Sequence, residues 1–185
     1  MNYFISDLHF GHKNIIELCN RPFSSVEEMN EAMITNWNGV VKNCDTVYVI
    51  GDFAWKTDKA EEFLKRLKGK KVLITGNHDG GLVKNAETAK YFKIITPYLE
   101  THIGHRTLTL CHYPMLEWRH SRKADSTKLG YLIYGHIHNK LNPEYAHLLS
   151  QPNALNAGAD VNNFTPSTIE QLEENNAKFY AEYRK

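Results

Sequence analysis

Apolar and polar positions alternate along this chain in two recurring patterns. The run NYFIS (2–6) is short and apolar, stops at the polar string Asp7-Leu8-His9, and predicts a buried strand. In SSVEEMNEAMITNWNGVV, Val26, Met29, Met33, Trp37 and Val40 recur at helical spacing, and Ser25 with Glu28 supplies a capping box. TVYVIGD (46–52) is β-branched, closes on Gly51 and reads as a strand. DKAEEFLKRL reads as an amphipathic helix with Asp58 and Glu61 as its cap pair and Ala60, Phe63, Leu64 and Leu67 facing inward. KKVLITGN predicts a third strand.

The second half is richer in strand signals: YFKIITPY, ETHIG and RTLTLCHYP with a turn at Gly104, then YLIYGHIHN (131–139) and NALNAGAD. Ser167 and Glu170 predict the start of a last short helix, followed by about ten frayed or surface-bound residues. The strand-loop-helix repetition of the first half places the chain in the α/β class. No repeat, low-complexity tract or linker divides it, so residues 1–185 form one expected domain without a separate cap domain.

Composition narrows the function only by exclusion. With 185 residues the chain can bury a full core, and 22 basic against 21 acidic residues argue against a strong binder of duplex nucleic acid. Cys19, Cys44 and Cys111 lack CxxC spacing and read as free thiols of a reducing compartment. Without a signal-peptide pattern or an apolar run of about 18 residues, the expectation is a cytoplasmic protein that does not enter membranes.

Ten histidines change the picture, because many of them sit where apolar runs end. The endings are Asp7-Leu8-His9, Gly51-Asp52, Gly76-Asn77-His78-Asp79, Cys111-His112 and Gly135-His136-Ile137-His138. One such ending is no more than a turn, since Asp and Asn favour turns. Five of them point to one site, because α/β sheets gather ligands at the carboxyl ends of their strands. Imidazole and carboxylate suit divalent transition metals. On an extended chain, Asp7 with His9, and His136 with His138, would face the same side, and Asp52 could bridge two ions. Glycines 51, 76 and 135 would let the backbone pass close to that centre.

The ordered set D-x-H, G-D, G-N-H-D, H and G-H-x-H resembles the calcineurin-like metallophosphoesterase superfamily, and NAGADVNNFTPSTIEQL resembles the ending of its small bacterial and phage members. The resemblance implies a four-layer α/β/β/α sandwich of two mixed β-sheets flanked by helices. It implies Asp7, His9 and His138 on a first metal, Asp52 as the bridge, Asn77, His112 and His136 on a second, and His78 as the catalytic residue over the substrate phosphate. It further implies attack by a metal-bridging hydroxide on phosphodiesters or phosphomonoesters, among them small nucleotides, short oligonucleotides or phosphorylated metabolites. Manganese is the first choice of metal, with iron, zinc, nickel or magnesium as alternatives. One departure stands out: Phosphoprotein phosphatases of the superfamily carry G-D-x-x-D-R, and this chain has Trp55 where the second Asp would orient the histidine.

Other residues have bland readings beside sharp ones. His12 could touch substrate or cap a helix, Arg21 could reach a phosphate or lie on the surface, and Arg119 in WRHSRK could grip a leaving group or belong to a solvated loop. KRLKGKK (65–71) reads as the charged face and end of a helix. Phe10, Trp37, Phe53, Trp55 and Trp118 read mostly as core, with Phe53 or Trp55 as a pocket wall. Two other classes remain open at this level: a non-catalytic metal-binding scaffold of the same fold, and a small nuclease.

Overall fold

The computed structural model describes residues 1–55, 59–122 and 129–183. Strands β1 (Asn2–Ile5), β2 (Thr46–Val49), β3 (Lys70–Ile74) and β4 (Phe92–Thr96) lie side by side in that order, parallel throughout. The second sheet, β5 (Tyr98–Ile103), β6 (Arg106–Cys111), β7 (Gly130–Tyr134) and β8 (Ala154–Asn156), is mixed. Its β5–β6 hairpin is antiparallel and turns at Gly104, as the sequence predicts; β6, β7 and β8 run parallel. Helices α1 (Ile15–Leu18), α2 (Val26–Val40), α3 (Ala60–Arg66), α4 (Gly80–Lys84), α5 (Ala86–Ala89), α6 (Ala146–Ser150) and α7 (Ile169–Phe179) complete the fold.

The period-2 alternation of the strands divides their side chains among three apolar cores. Tyr3, Ile5, Val47, Val49 and Leu73 pack under α2 and α3 with Met29, Met33, Trp37, Phe63 and Leu64. Their neighbours Phe4, Ile50, Val72 and Ile74 turn the other way and meet Leu108, Leu110, Ile133 and Leu155 between the sheets. Leu132 and Tyr134 face a third core with Leu148 and Leu149 of α6 and Tyr180. Three interfaces make four layers, helix on sheet on sheet on helix. Each fully buried aliphatic or aromatic side chain contributes about 1.5–3 kcal/mol, so this layering outweighs the weak propensities of such short strands.

Several element ends differ from their sequence expectations. Helix α7 is capped one residue later, by Thr168 with Gln171 in a reciprocal capping box, because both main-chain groups of Ser167 are bonded to Phe4. Two residues of the expected frayed or surface-bound ending are tied down: Asn176, within α7, bonds the main chain of Asn156 in β8, and Tyr180 is fully buried. At α2 the Ser25 hydroxyl accepts from the Glu28 N–H, but the Glu28 carboxylate turns to Ser24, so the box is half made. Lys71, which the sequence places both in the third strand and in the charged run 65–71, lies buried in β3, where its ammonium donates to the carbonyls of Leu67 and Gly69. The Asp58 cap lies outside the described residues.

What this architecture does for a site is to bring carboxyl ends of both sheets to one edge. Ser6, just past β1, donates to Ala157 and accepts from Ala159, both just past β8. The Asp7 N–H donates to Gly51, and the Gly135 N–H to His112. The endings of β1, β2 and β8, and those of β6 and β7, are thereby tied, and the Asp79 carboxylate ties the ending of β3 to that of β2.

Candidate metal centre

The candidate ligands do not sit on extended chain. Strands β1, β2 and β7 stop at Ile5, Val49 and Tyr134, and Asp7, His9, Asp52, His136 and His138 all have positive φ, between 49° and 72°. They are five of the nine non-glycine residues in that region among the described residues. The extended-chain argument for i, i+2 pairs is therefore replaced by one about left-handed turns. Such turns cost of order 1–3 kcal/mol each and persist where the surroundings impose them, as they do at functional sites. Asp and His tolerate them better than bulky or branched residues. Close packing sets the glycines: a Cβ on Gly76 would strike the Asp52 carboxylate, and one on Gly135 would strike Ser6 and Asp7.

Two groups of donors emerge, with Asp52 between them. Ligand atoms of Asp7, His9 and His138 lie within 4.8 Å of one another, as do those of Asp7, Asp52 and His112. Nε2 of His112 and Nδ1 of His136 each stand 3.1 Å from Asn77 Oδ1. Asp52 Oδ2 lies 3.5 Å from His9 Nε2 and 3.5 Å from His112 Nε2, so one carboxylate oxygen reaches toward both groups. The His112 Nδ1–H donates to the Ile50 carbonyl at 2.8 Å, which in the neutral ring leaves Nε2 as a lone pair facing the oxygens of Asn77 and Asp52. Both nitrogens of His9 are buried without a hydrogen-bond partner. Carboxylate, amide and imidazole groups crowded this closely, with both nitrogens of His9 orphaned beside them, fit a divalent cation bound by nitrogen and oxygen donors.

The electrostatics agree with that fit. Burial pushes His9 down to about 2, which keeps its ring neutral. Burial would push Asp52 up, but the hydrogen bond and charge of His112 and the His78 N–H hold it down at about 2, so it is ionised. Burial raises Asp7. Burial would lower His138, but its hydrogen bonds to Asp160 and Cys19 and the charges of Asp7 and Asp160 together outweigh that and raise it to about 10. A cation must displace that proton, so uptake is coupled to proton release.

His78 lines a cavity of about 490 Å³ together with His9, His12, Asp52, Trp55, Asn77, His136 and His138. Its ring lies 5.2 Å from His9 and 5.0 Å from Trp55, and Trp55 stacks flat on His12 at 3.9 Å. Its Nε2 is 3.9 Å from Asp52 Oδ2, and its main-chain N–H donates to Asp52 Oδ1. Asp79 does not hold the His78 ring; its buried carboxylate instead accepts the N–H groups of Asp52, Phe53 and Gly76. The rings of His9 and Trp55, with Asp52 on one side, thus surround His78 in place of the orienting Asp of the phosphoprotein phosphatases.

The remaining sequence candidates separate. His12 lines the cavity, and so does Trp55, whereas Phe10, Trp37, Phe53 and Trp118 are core. Arg21 is neither on the surface nor in the cavity; it is 4% exposed and bonded to Asp160 and to the carbonyls of Asp7 and Leu8, because its guanidinium needs acceptors once buried. Arg119 lies outside the cavity, paired with Glu100 on β5. Asp160 escaped the sequence reading, although NALNAGAD ends on it as the other runs end on theirs.

Comparison with known proteins gives concordant relatives. The chain is 37% identical to an uncharacterized protein of Methanocaldococcus jannaschii over 173 residues, covering 92% of this chain and 88% of the relative. It is 31% identical to the Gene 66 protein of Mycobacterium phage L5 over 164 residues, 75% of this chain and 78% of the phage protein. Among solved structures, a protein of unknown function from Aquifex aeolicus superposes with a TM-score of 0.71 at 30% identity, over 94% of this chain and 98% of the other. The profile of the calcineurin-like phosphoesterase superfamily domain matches residues 2–169. The motifs at the strand ends, the paired four-stranded sheets and this match over nearly the whole chain agree: the protein belongs to the calcineurin-like phosphoesterase superfamily.

Proposed function

We propose that the protein is a phosphoesterase that works with two divalent metal ions on small phosphorylated substrates, phosphodiesters first among them. The observation that carries this reading is the gathering of seven nitrogen- and oxygen-bearing side chains, Asp52 among them, beside a cavity that His78 lines. Asp7, His9 and His138 would hold one ion, Asn77, His112 and His136 the other, and Asp52 both. A bound pair of such ions supplies a nucleophile at neutral pH and neutralises the phosphate oxygens in an in-line displacement. The donor set is oxygen and imidazole, which suits manganese first and also iron, zinc, nickel or magnesium.

The chain's own residues then have separate tasks. His78 is 34% exposed in its side chain, close to Asp52 without a ligand-like contact to the other donors, and so is free to donate a proton to the leaving oxygen. Trp55 and His12 form a flat wall beside it that confines the leaving group. The cavity has the size of a site for a small molecule, which favours nucleotides or phosphorylated metabolites over long nucleic acid.

The test is reconstitution. Chelated protein should hydrolyse a chromogenic aryl phosphodiester only after a divalent metal is restored, with manganese effective. Asp52→Asn should lose that activity and bind less metal, measured by elemental analysis after gel filtration. Full metal content in Asp52→Asn would count against the bridge, and no hydrolysis with any metal would leave a binding scaffold.

A further inference from the structure

Arg21 and Asp160 are both charged and buried, 139 positions apart, and neither faces the cavity. Nε of Arg21 donates to Asp160 Oδ1 at 2.8 Å and Nη2 to Oδ2 at 3.1 Å, a fork on a carboxylate. The same guanidinium donates to the carbonyls of Asp7 at 2.7 Å and Leu8 at 3.0 Å. Asp160 Oδ2 also accepts from His138 Nδ1 at 2.8 Å; a carboxylate facing a ring nitrogen accepts, so Nδ1 carries the proton. The other nitrogen, Nε2, is then turned toward Asp7 Oδ1, 3.8 Å away.

We infer that Arg21 and Asp160 are positioning residues, a buried clamp that holds Asp7 and His138 in the orientation in which both bind the same metal ion. This rests on the two-ion reading of the centre. Asp7 follows β1 in the first sheet, while His138 and Asp160 follow β7 and β8 in the second. Their relative placement is not set by any one strand. Arg21 reaches the main chain of one ligand, and Asp160 fixes the ring of the other, so the ion pair joins the two halves of one half-site. A histidine ligand whose far nitrogen is bonded to a carboxylate has its ring angle and protonation fixed, and loss of such a partner costs 10–100-fold in metal affinity. The planar fork of arginine makes four donations to oxygen in different directions here, which a lysine ammonium cannot reproduce.

The experiment is manganese titration of full-length protein, followed by calorimetry and by the electron paramagnetic resonance of bound Mn²⁺, with urea unfolding of the metal-free forms as the control for folding. Variants are Asp160→Asn, Arg21→Lys and the double variant Arg21→Met with Asp160→Asn, which removes both charges and so leaves no uncompensated charge in the interior. Wild type should bind two ions with a coupled-pair spectrum. Asp160→Asn and the double variant should bind one ion about 10–100-fold more weakly and the other unchanged. At intermediate metal their spectra should be those of isolated Mn²⁺. Arg21→Lys should lie between them and wild type.

A folded double variant that binds both ions with wild-type affinity overturns the clamp, and so does equal weakening of both ions, which is what general loosening would produce. Wild-type protein that takes up no manganese overturns the two-ion reading and the clamp with it. Normal uptake by wild type with unaffected variants removes the clamp alone.

Discussion

A single carboxylate, Asp79, joins the two loops that carry Asp52 and His78. It accepts three main-chain N–H groups, at 2.8 to 3.0 Å, and is fully buried. Asp79→Ala would orphan all three donors. At about 1–3 kcal/mol for each unsatisfied buried group, unfolding free energy measured in urea should fall by at least ~3 kcal/mol, and Asp79→Asn should recover part of it. The residue before it plays the opposite part. Among the described residues the His78 side chain has no hydrogen-bond partner, and it is walled by the rings of His9 and Trp55. His78→Ala should keep the metal content of wild type while kcat falls 10²–10⁴-fold; loss of metal in that variant would make it a ligand. The string Gly76-Asn77-His78-Asp79 announces a site in the sequence, but its division into a donor, a free imidazole and a loop tie is visible only when the partners of each side chain are known.

At the level of elements, helix periodicity and β-branched runs were informative because they report burial, which is a property of the folded layers. They identified all eight strands at least approximately, and the long helices α2 and α7. The four- and five-residue helices α1, α4, α5 and α6 carry too few turns to show a period. The cap expected at Ser167 moves to Thr168 for a non-local reason: the bridge to Phe4 engages both main-chain groups of Ser167. Strand β3 contains the surprise of Lys71. Burial lowers its pKa from 10.5 to about 8, so between these values the unfolded chain binds more protons than the folded one. Stability from this group is therefore present above about pH 10.5 and lost as pH falls through about 8. Relative to Lys71→Met, wild type should gain on the order of 2 kcal/mol in urea unfolding between pH 8 and 10.5; the two carbonyl acceptors of its ammonium keep the figure below the full shift.

On the scale of the whole molecule, the centre is a joint between sheets. Asp7, His9, Asp52 and Asn77 follow strands of the first sheet, and His112, His136 and His138 follow strands of the second. A cation held by both groups binds the folded chain and not the unfolded one. Manganese at about 100 times its dissociation constant should raise stability by about 2.7 kcal/mol, seen as a higher melting temperature that a chelator reverses. Melting that ignores metal would mean that the donors do not bind cations in the folded state. No helix among the described residues is long and apolar enough to cross a membrane.

The sequence by itself determined the class of the fold, the strands that end in donors and the donor types, because apolar runs and metal-binding side chains are local facts of the chain. Only the tertiary structure decided how those donors meet. Left-handed turns replaced extended pairs, Trp55 and His12 became the wall beside His78, and Arg21 moved from a substrate contact to a buried partner of Asp160. The physical reason is that a buried charge or a positive φ is tolerated only with partners, and here those partners come from parts of the chain as much as 139 residues apart.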